Sequence, residues 1–315
     1  MADVVSIVIP TRNGMATLPE VFEALAAQEG AEAVEIVAVD SGSTDGTLEF
    51  LAPRVRNLID VAPGEFNHGL TRNLAIARTR GPLVVLLVQD AIPVSASWLV
   101  ELIRPLREDP RVAGSFARQR PRADAGPLTR RYLAQWVASA DVPEVKSVET
   151  ASAFAALSPG NRHLLCAFDN VCSCVRRSVW EQYPFRATTI AEDLEWAREV
   201  LLGGYRLAYA PAACVVHSHD RSVGYEFRRT REVHERLQSL FGLATVPDVS
   251  SLLREIDVTV PRHVRWMLQD DRHPTLGEMV RAIGLGLAFP LGQYLGARSA
   301  DRTAADPARP RSAGR

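Results

Sequence analysis

Lysine is all but missing from this 315-residue chain: Lys146 is the only one, and arginine supplies the rest of the 36 basic residues. They are balanced by 37 Asp and Glu, for a formal net charge of -1. No global field therefore draws the chain to nucleic acid or to an anionic surface. Cysteine is scarce too. Cys172 and Cys174 are separated by one residue, too close for the usual C-x-x-C zinc or redox pair, and Cys166 and Cys214 add no motif. All four are expected as reduced thiols in or near the core. No basic stretch leading into an apolar one is visible at the N-terminus, so no secretion signal is expected. The longest late apolar run, 282–292, is too short to cross a bilayer and contains Pro290. Internal repeats are lacking as well. These absences lead to the expectation of a cytoplasmic protein.

What is present is a 47% hydrophobic chain, enough for one large domain or a domain with an appendage. Its centre of organisation is 83–91, LVVLLVQDA. Six apolar residues in a row, several β-branched, predict a strand buried on both faces, and Gln89-Asp90 marks where the chain leaves it. Upstream, 4–10 (VVSIVIP) and 34–40 (VEIVAVD) predict two more strands. A helix capped by Thr17 follows the first, and a helix from Thr47 follows the second. Such a βαβα opening predicts a parallel sheet. Further strands are expected at 58–61, 112–116, 168–175 and 205–216. Further helices are expected through Ala77, over 97–107, from Glu192 to Leu202 closed by Gly203-Gly204, over 223–241 and across 250–296. The tail from Ser299 onward, rich in Ala, Arg, Pro and Asp, is expected to be disordered.

Four polar sites fall at strand ends or helix starts: Asp40, Asp90, Glu192-Asp193 and His217/His219. In an open α/β sheet, ligands gather at the carboxyl ends of strands. A carboxylate there can hold a cation between two phosphates, an imidazole can complete its shell, and a metal-free carboxylate can take a proton. Each site also has a plain structural use. Asp40 can satisfy turn amides, Asp90 can cap a turn, and acids stabilise any helix N-terminus. His217 and His219, spaced i and i+2, would share one side of a strand. Arg72 is a surface charge or a guanidinium clamp on a diphosphate. The occurrence of all of them in this order favours the chemical use.

With those residues in view, the chain resembles the family 2 glycosyltransferases of GT-A fold. The resemblance rests on 7–14 (IVIPTRNG), 39–47 (VDSGSTDGT), Gln89-Asp90-Ala91 and Glu192-Asp193. Within the family it is most similar to the bacterial rhamnosyltransferase branch, through 66–73 (FNHGLTRN), 89–93 (QDAIP), 192–197 (EDLEWA) and His217-Ser218-His219. Two departures stand out: one carboxylate of the usual Asp-x-Asp motif survives, as Asp90, and Leu70 replaces a frequent glycine.

The resemblance implies an α/β, Rossmann-like and mostly parallel GT-A domain over 1–220, a C-terminal helical extension over 221–298 and the disordered tail over 299–315. It implies that Pro10, Thr11, Arg12, Asn13, Asp40, Gly42, Arg72, Asn73 and Gln89 bind the nucleotide. It makes Asp90, with His219 or His217, the ligands of Mg or Mn, and Asp193, beside Glu192, the general base. The implied reaction is an inverting transfer from a dTDP-sugar, most of all dTDP-rhamnose, or a UDP-sugar, onto a glycan or lipid-linked acceptor. The Arg-rich helix over 223–241 and the apolar stretch 282–295 are expected to give peripheral contact with the inner face of the plasma membrane. Competing expectations are another nucleotide-sugar donor such as a UDP-hexose, a non-catalytic nucleotide-sugar-binding subunit, and a nucleotidyltransferase. The last would need a Gly-rich, basic phosphate loop that 10–14 (PTRNG) does not supply.

Overall fold

The computed structural model describes residues 4–30, 33–270 and 273–305. Its strands are β1 (Val5–Thr11), β2 (Val34–Asp40), β3 (Asn57–Asp60), β4 (Leu83–Leu87), β5 (Ile92–Pro93), β6 (Val112–Arg120), β7 (Glu144–Lys146), β8 (Cys172–Arg176) and β9 (Arg206–Val216). Its helices are α1 (Leu18–Ala26), α2 (Thr47–Leu51), α3 (His68–Ile76), α4 (Trp98–Glu108), α5 (Pro127–Ala134), α6 (Ala151–Ala156), α7 (Pro159–Leu165), α8 (Arg177–Gln182), α9 (Glu192–Leu202), α10 (Val223–Phe241), α11 (Val249–Leu268) and α12 (Leu276–Ala305).

One sheet runs in the order β3-β2-β1-β4-β8-β6-β9-β5, with β7 paired to β9. The first four strands are mutually parallel, as the βαβα opening predicts. β8 then lies antiparallel to both β4 and β6, so the sheet is mixed. The reversal follows from the long excursion between β6 and β8, which brings the chain back into the sheet from the opposite end. All five residues of β4 are buried, as a strand covered on both faces requires. The strand ends one residue before its apolar run, and Val88 still packs against the core, its amide donating to the Val171 carbonyl at 3.0 Å. Trp98, Leu99, Leu102, Ile103 and Leu106 of α4 join the β1 and β4 side chains in one core. The four cysteines are buried free thiols. Burial pushes the Cys166 and Cys174 thiols up to about 12, so neither is poised to react.

The chain divides into two compact units. One comprises Met1–Asp124, Tyr132–Leu157 and Leu164–Ser218, and carries the sheet. The other comprises Ala125–Arg131, Ser158–His163 and His219–Arg315. The early pieces that join the second unit carry no sequence signal. They are held by particular bonds: Asp220 accepts from the Gly126 amide at 2.8 Å and from Thr129 Oγ1 at 2.6 Å, and Arg130 pairs with Asp270.

The expected helical stretch over 250–296 is two helices. Thr275 and Glu278 cap the second reciprocally: the Glu278 amide donates to Thr275 Oγ1 and the Thr275 amide to Glu278 Oε2. Glycines on α12 let its neighbours approach. A Cβ at Gly296 would collide with the Arg231 carbonyl of α10. The helix continues through Ala305, so residues 299–305, expected to be disordered, are helical; residues 306–315 lie outside those described. Among the described residues, no helix is long and apolar enough to cross a membrane.

Candidate active site

The strand order places β2 and β3 on one side of β1 and β4 on the other. The carboxyl ends of β1 and β4 therefore flank the point where the chain changes direction across the sheet, the usual position of a ligand crevice. The loop after β1 is tied down at this point. Gln89 receives the Arg12 amide on Oε1 at 2.8 Å and donates Nε2 to the Arg12 carbonyl at 3.0 Å. Asn13 adopts a left-handed φ of 48° and accepts from the Thr44 amide at 2.9 Å.

Asp40, fully buried, receives the Gly42 and Ser43 amides on Oδ1 at 3.0 and 2.8 Å. Its Oδ2 receives the hydroxyls of Thr11 at 2.8 Å and Ser43 at 2.5 Å. Gly42 permits this turn with φ 85°, and a Cβ there would meet Pro63 Cγ at 2.5 Å.

Several residues expected to bind the nucleotide have partners within the protein. Asp40, Thr11 and Gln89 have their polar atoms engaged in the turn, because two adjacent parallel strand ends leave amides that need acceptors. Asn73 is engaged too: Oδ1 accepts from Trp180 Nε1 at 2.8 Å and the Phe185 amide at 3.1 Å, and Nδ2 donates to the Phe185 carbonyl at 2.8 Å. Pro10 lies within β1, opposite Val39. The Arg12 side chain is exposed at the loop.

At the start of α9 the pattern changes. Ala191 enters the helix with a left-handed φ of 61°, an uncommon conformation for a residue with a Cβ. Glu192 is buried and faces Arg72 Nη1 at 2.9 Å, with Asn170 Nδ2 at 3.2 Å. Burial opposes its ionisation, but the Arg72 guanidinium, His68 and the hydrogen bonds from Asn170 and the backbone together outweigh that and hold the carboxyl below its ordinary range. Arg72 is itself 5% exposed and also donates to the His68 carbonyl at 3.0 Å. The expected diphosphate clamp is here the buried partner of Glu192, and Glu192 is correspondingly engaged.

Asp193 is treated differently. It receives the Leu194 amide at 2.8 Å and, more weakly, the Asn170 amide at 3.4 Å. Burial, then the Glu192 charge, then the Asp169 charge raise its proton affinity well above that of an ordinary Asp. Asp169 escaped the sequence because Asp169-Asn170 was absorbed into the strand expected over 168–175. That strand begins only at Cys172, and the two residues project into the acid cluster. A polar pair interrupting an apolar stretch was the available signal.

The histidine pair lies beyond β9, which ends at Val216, so no strand alternation orients it. The turn nevertheless brings the rings together with Asp90. His217 Nε2 lies 3.7 Å from Asp90 Oδ1, and one donor atom each from Asp90, His217 and His219 fall within 4.8 Å of one another. One carboxylate and two imidazoles suit a divalent cation and leave coordination positions open for phosphate oxygens.

Residues 6–158 match the family model described as Glycosyl transferase family 2. An O-antigen chain rhamnosyltransferase, RfbN of Salmonella typhimurium, is 31% identical over 240 residues, covering 71% of this chain and 69% of that protein. WbaN of Salmonella anatum, of the same description, is 33% identical over 234 residues with the same coverage. The chain belongs to the family 2 glycosyltransferases. Solved structures agree on the fold. A mannosyltransferase from Pyrobaculum calidifontis, in complex with GDP-Man and Mn2+, aligns with a TM-score of 0.54 at 18% identity over 99% of this chain and 78% of its own. Glucosyl-3-phosphoglycerate synthase from Mycobacterium tuberculosis, with Mn2+ and UDP, aligns with 0.52 at 20% identity over 78% and 82%. The transferase thus has the GT-A fold, with a set of C-terminal helices.

Proposed function

We propose that this glycosyltransferase moves L-rhamnose from dTDP-rhamnose onto a hydroxyl of a cell-envelope glycan precursor, with inversion, and with Asp193 as general base. The observation that carries the base assignment is the environment of Asp193: a carboxylate pressed by burial and two anionic neighbours binds a proton more strongly than usual, which makes it a stronger acceptor for the proton of a hydroxyl. The Salmonella relatives support rhamnose as the sugar.

Asp90, His217 and His219 would hold Mg2+ or Mn2+, which when bound offsets the charge of the leaving diphosphate. The protein supplies the rest. The Arg72–Glu192 pair ties α3 to the first turn of α9 and so fixes where Asp193 stands. Gln89 and Asp40 stiffen the loop carrying Arg12 and Asn13, whose exposed groups are the ones left to meet a nucleotide. The acceptor hydroxyl attacks the anomeric carbon as its proton passes to Asp193, and the bond to the diphosphate breaks.

The test is product analysis of the purified protein with dTDP-rhamnose, a divalent cation and a lipid-linked acceptor extract. Rhamnose in the lipid fraction with stoichiometric dTDP release is expected. Transfer from a UDP-hexose alone would replace the donor, and no transfer from any nucleotide-sugar would leave a binding subunit.

Peripheral membrane contact belongs to the same proposal, on a revised surface. Leu237, Leu240 and Phe241 of α10 are buried, so they are not an outward apolar face. Leu276, Val280, Ile283, Leu287 and Leu291 are exposed at helical spacing on α12, and they are the side offered to a bilayer surface. Co-sedimentation with anionic vesicles should be lost when Val280, Ile283 and Leu287 are changed together to Gln; unchanged recovery would remove the membrane from the scheme.

A further inference from the structure

Gln119 is 5% exposed on β6, and no part of the reaction above uses it. Its surroundings dictate its orientation. Asp169 accepts the Val171 amide on Oδ1 at 2.9 Å, and on Oδ2 both the Trp136 indole N–H at 3.0 Å and Gln119 Nε2 at 2.7 Å. A carboxylate can only accept, so the Gln119 amide must turn its NH2 toward Asp169. Its carbonyl Oε1 is then left facing His217 Nδ1 at 3.2 Å. A carbonyl also only accepts, so in the neutral imidazole the proton sits on Nδ1. The lone pair is then on Nε2, the nitrogen that faces Asp90 Oδ1 at 3.7 Å.

We propose that Gln119, oriented by Asp169, is a positioning residue that fixes His217 as the Nδ1–H tautomer and so presents Nε2, beside Asp90, to the cation. The usefulness of this clamp rests on the metal assignment made above; the tautomer itself does not. The fold supplies the juxtaposition. β6 and β9 run parallel with Gln119 opposite Val215, and the His217 amide donates to the Arg120 carbonyl at 2.9 Å, which keeps the ring within reach of the amide. A glutamate at 119 would set a second carboxylate against Asp169, and a shorter asparagine would not span the two partners. Asp169 also borders Asp193, so one carboxylate braces the cation side while facing the base. Such outer partners of a histidine ligand fix its tautomer and ring plane, and removing one typically weakens metal affinity about 10–100-fold.

The test uses full-length metal-free protein with 15N-labelled histidine rings. Long-range 1H–15N NMR reports which ring nitrogen carries the proton, and the His217 signal is assigned by its loss in His217→Gln. The expected pattern is protonated Nδ1 in the parent chain. In Gln119→Leu the pattern shifts toward protonated Nε2, and Mn2+ affinity, measured from the free-ion EPR signal, falls about 10–100-fold. Protonated Nε2 in the parent chain would overturn the proposal, and that measurement needs no variant to fold. Unchanged Mn2+ affinity in a Gln119→Leu protein with a parental circular dichroism spectrum would overturn it too. A parent chain with protonated Nδ1 that binds no Mn2+ would uphold the tautomer and refute the cation assignment.

Discussion

Asp40 and Asp193 belong to the same sheet-bearing unit, and their surroundings are opposite in kind. Asp40 ends a parallel strand and receives four hydrogen bonds, two from amides and two from hydroxyls. Asp193 begins a helix with two amide contacts, one of them long, and two carboxylates beside it. A carboxylate saturated with donors is a structural joint, with little left to offer a ligand. One starved of donors and crowded by negative charge is unstable as an anion, and a proton relieves it. The corner around Asp40 is tied by hydrogen bonds, and the acid cluster around Asp193 is short of donors.

The largest expected effect tests the reactive side. Asp193→Asn should lower turnover about 10²–10⁴-fold, the usual worth of a general base, with donor binding nearly unchanged. The same variant should melt at a higher temperature at pH 7. The folded-state proton affinity of Asp193 lies above its unfolded value, so the folded chain holds the extra proton and stability falls as pH rises between the two. Asparagine removes that penalty. Full turnover in Asp193→Asn, or a lower melting temperature, would erase the contrast with Asp40.

Next in size is the buried pair. Arg72→Met leaves Glu192 as an unpaired buried carboxylate and should cost about 3–5 kcal/mol by denaturant titration. An effect confined to donor KM, with stability unchanged, would return Arg72 to the diphosphate. In the helical unit, burial and the neighbouring His163 charge lower the His234 pKa to about 4. Here the sign is opposite to that of Asp193: the unfolded chain takes up the proton first, so stability falls as pH drops from about 6.5 to about 4. The loss should be about 3 kcal/mol, and His234→Gln should flatten it in melting curves across that range. The smallest effect belongs to Asp40→Asn. An amide can keep its oxygen on the two backbone donors and turn its NH2 to the rotatable hydroxyls of Thr11 and Ser43, at a cost of about 1 kcal/mol. Donor KM should stay within twofold; a tenfold rise would make Asp40 a ligand-binding residue after all.

Much of this was legible in residue order. Strand β2 and helix α10 fall where their patterns predict, and β4, the Gly203-Gly204 stop and the start of α9 were all marked by local chemistry. So was the set of polar residues at strand ends. Their division of labour was not. Asp40, Arg72, Asn73 and Asp193 are all polar residues that sequence marks as candidates, and only their partners separate them. Asn73 faces Trp180 and Phe185 across more than a hundred residues of chain, and Arg72 faces Glu192 across a similar gap. No local period encodes such pairings. Asp169 and Gln119 escaped for a related reason: each sits in a strand-like stretch, and its worth lies in what stands beside it.

Sequence alone determined many of the elements of secondary structure, the parallel opening of the sheet and the family, because strand hydrophobicity, caps and motifs act over a few residues. Tertiary structure decided which carboxylate is saturated with donors and which is crowded by other acids, and which side chains face the two nitrogens of His217. Charge state and tautomer answer to donors and charges a few ångströms away, and folding brings those from opposite ends of the unit.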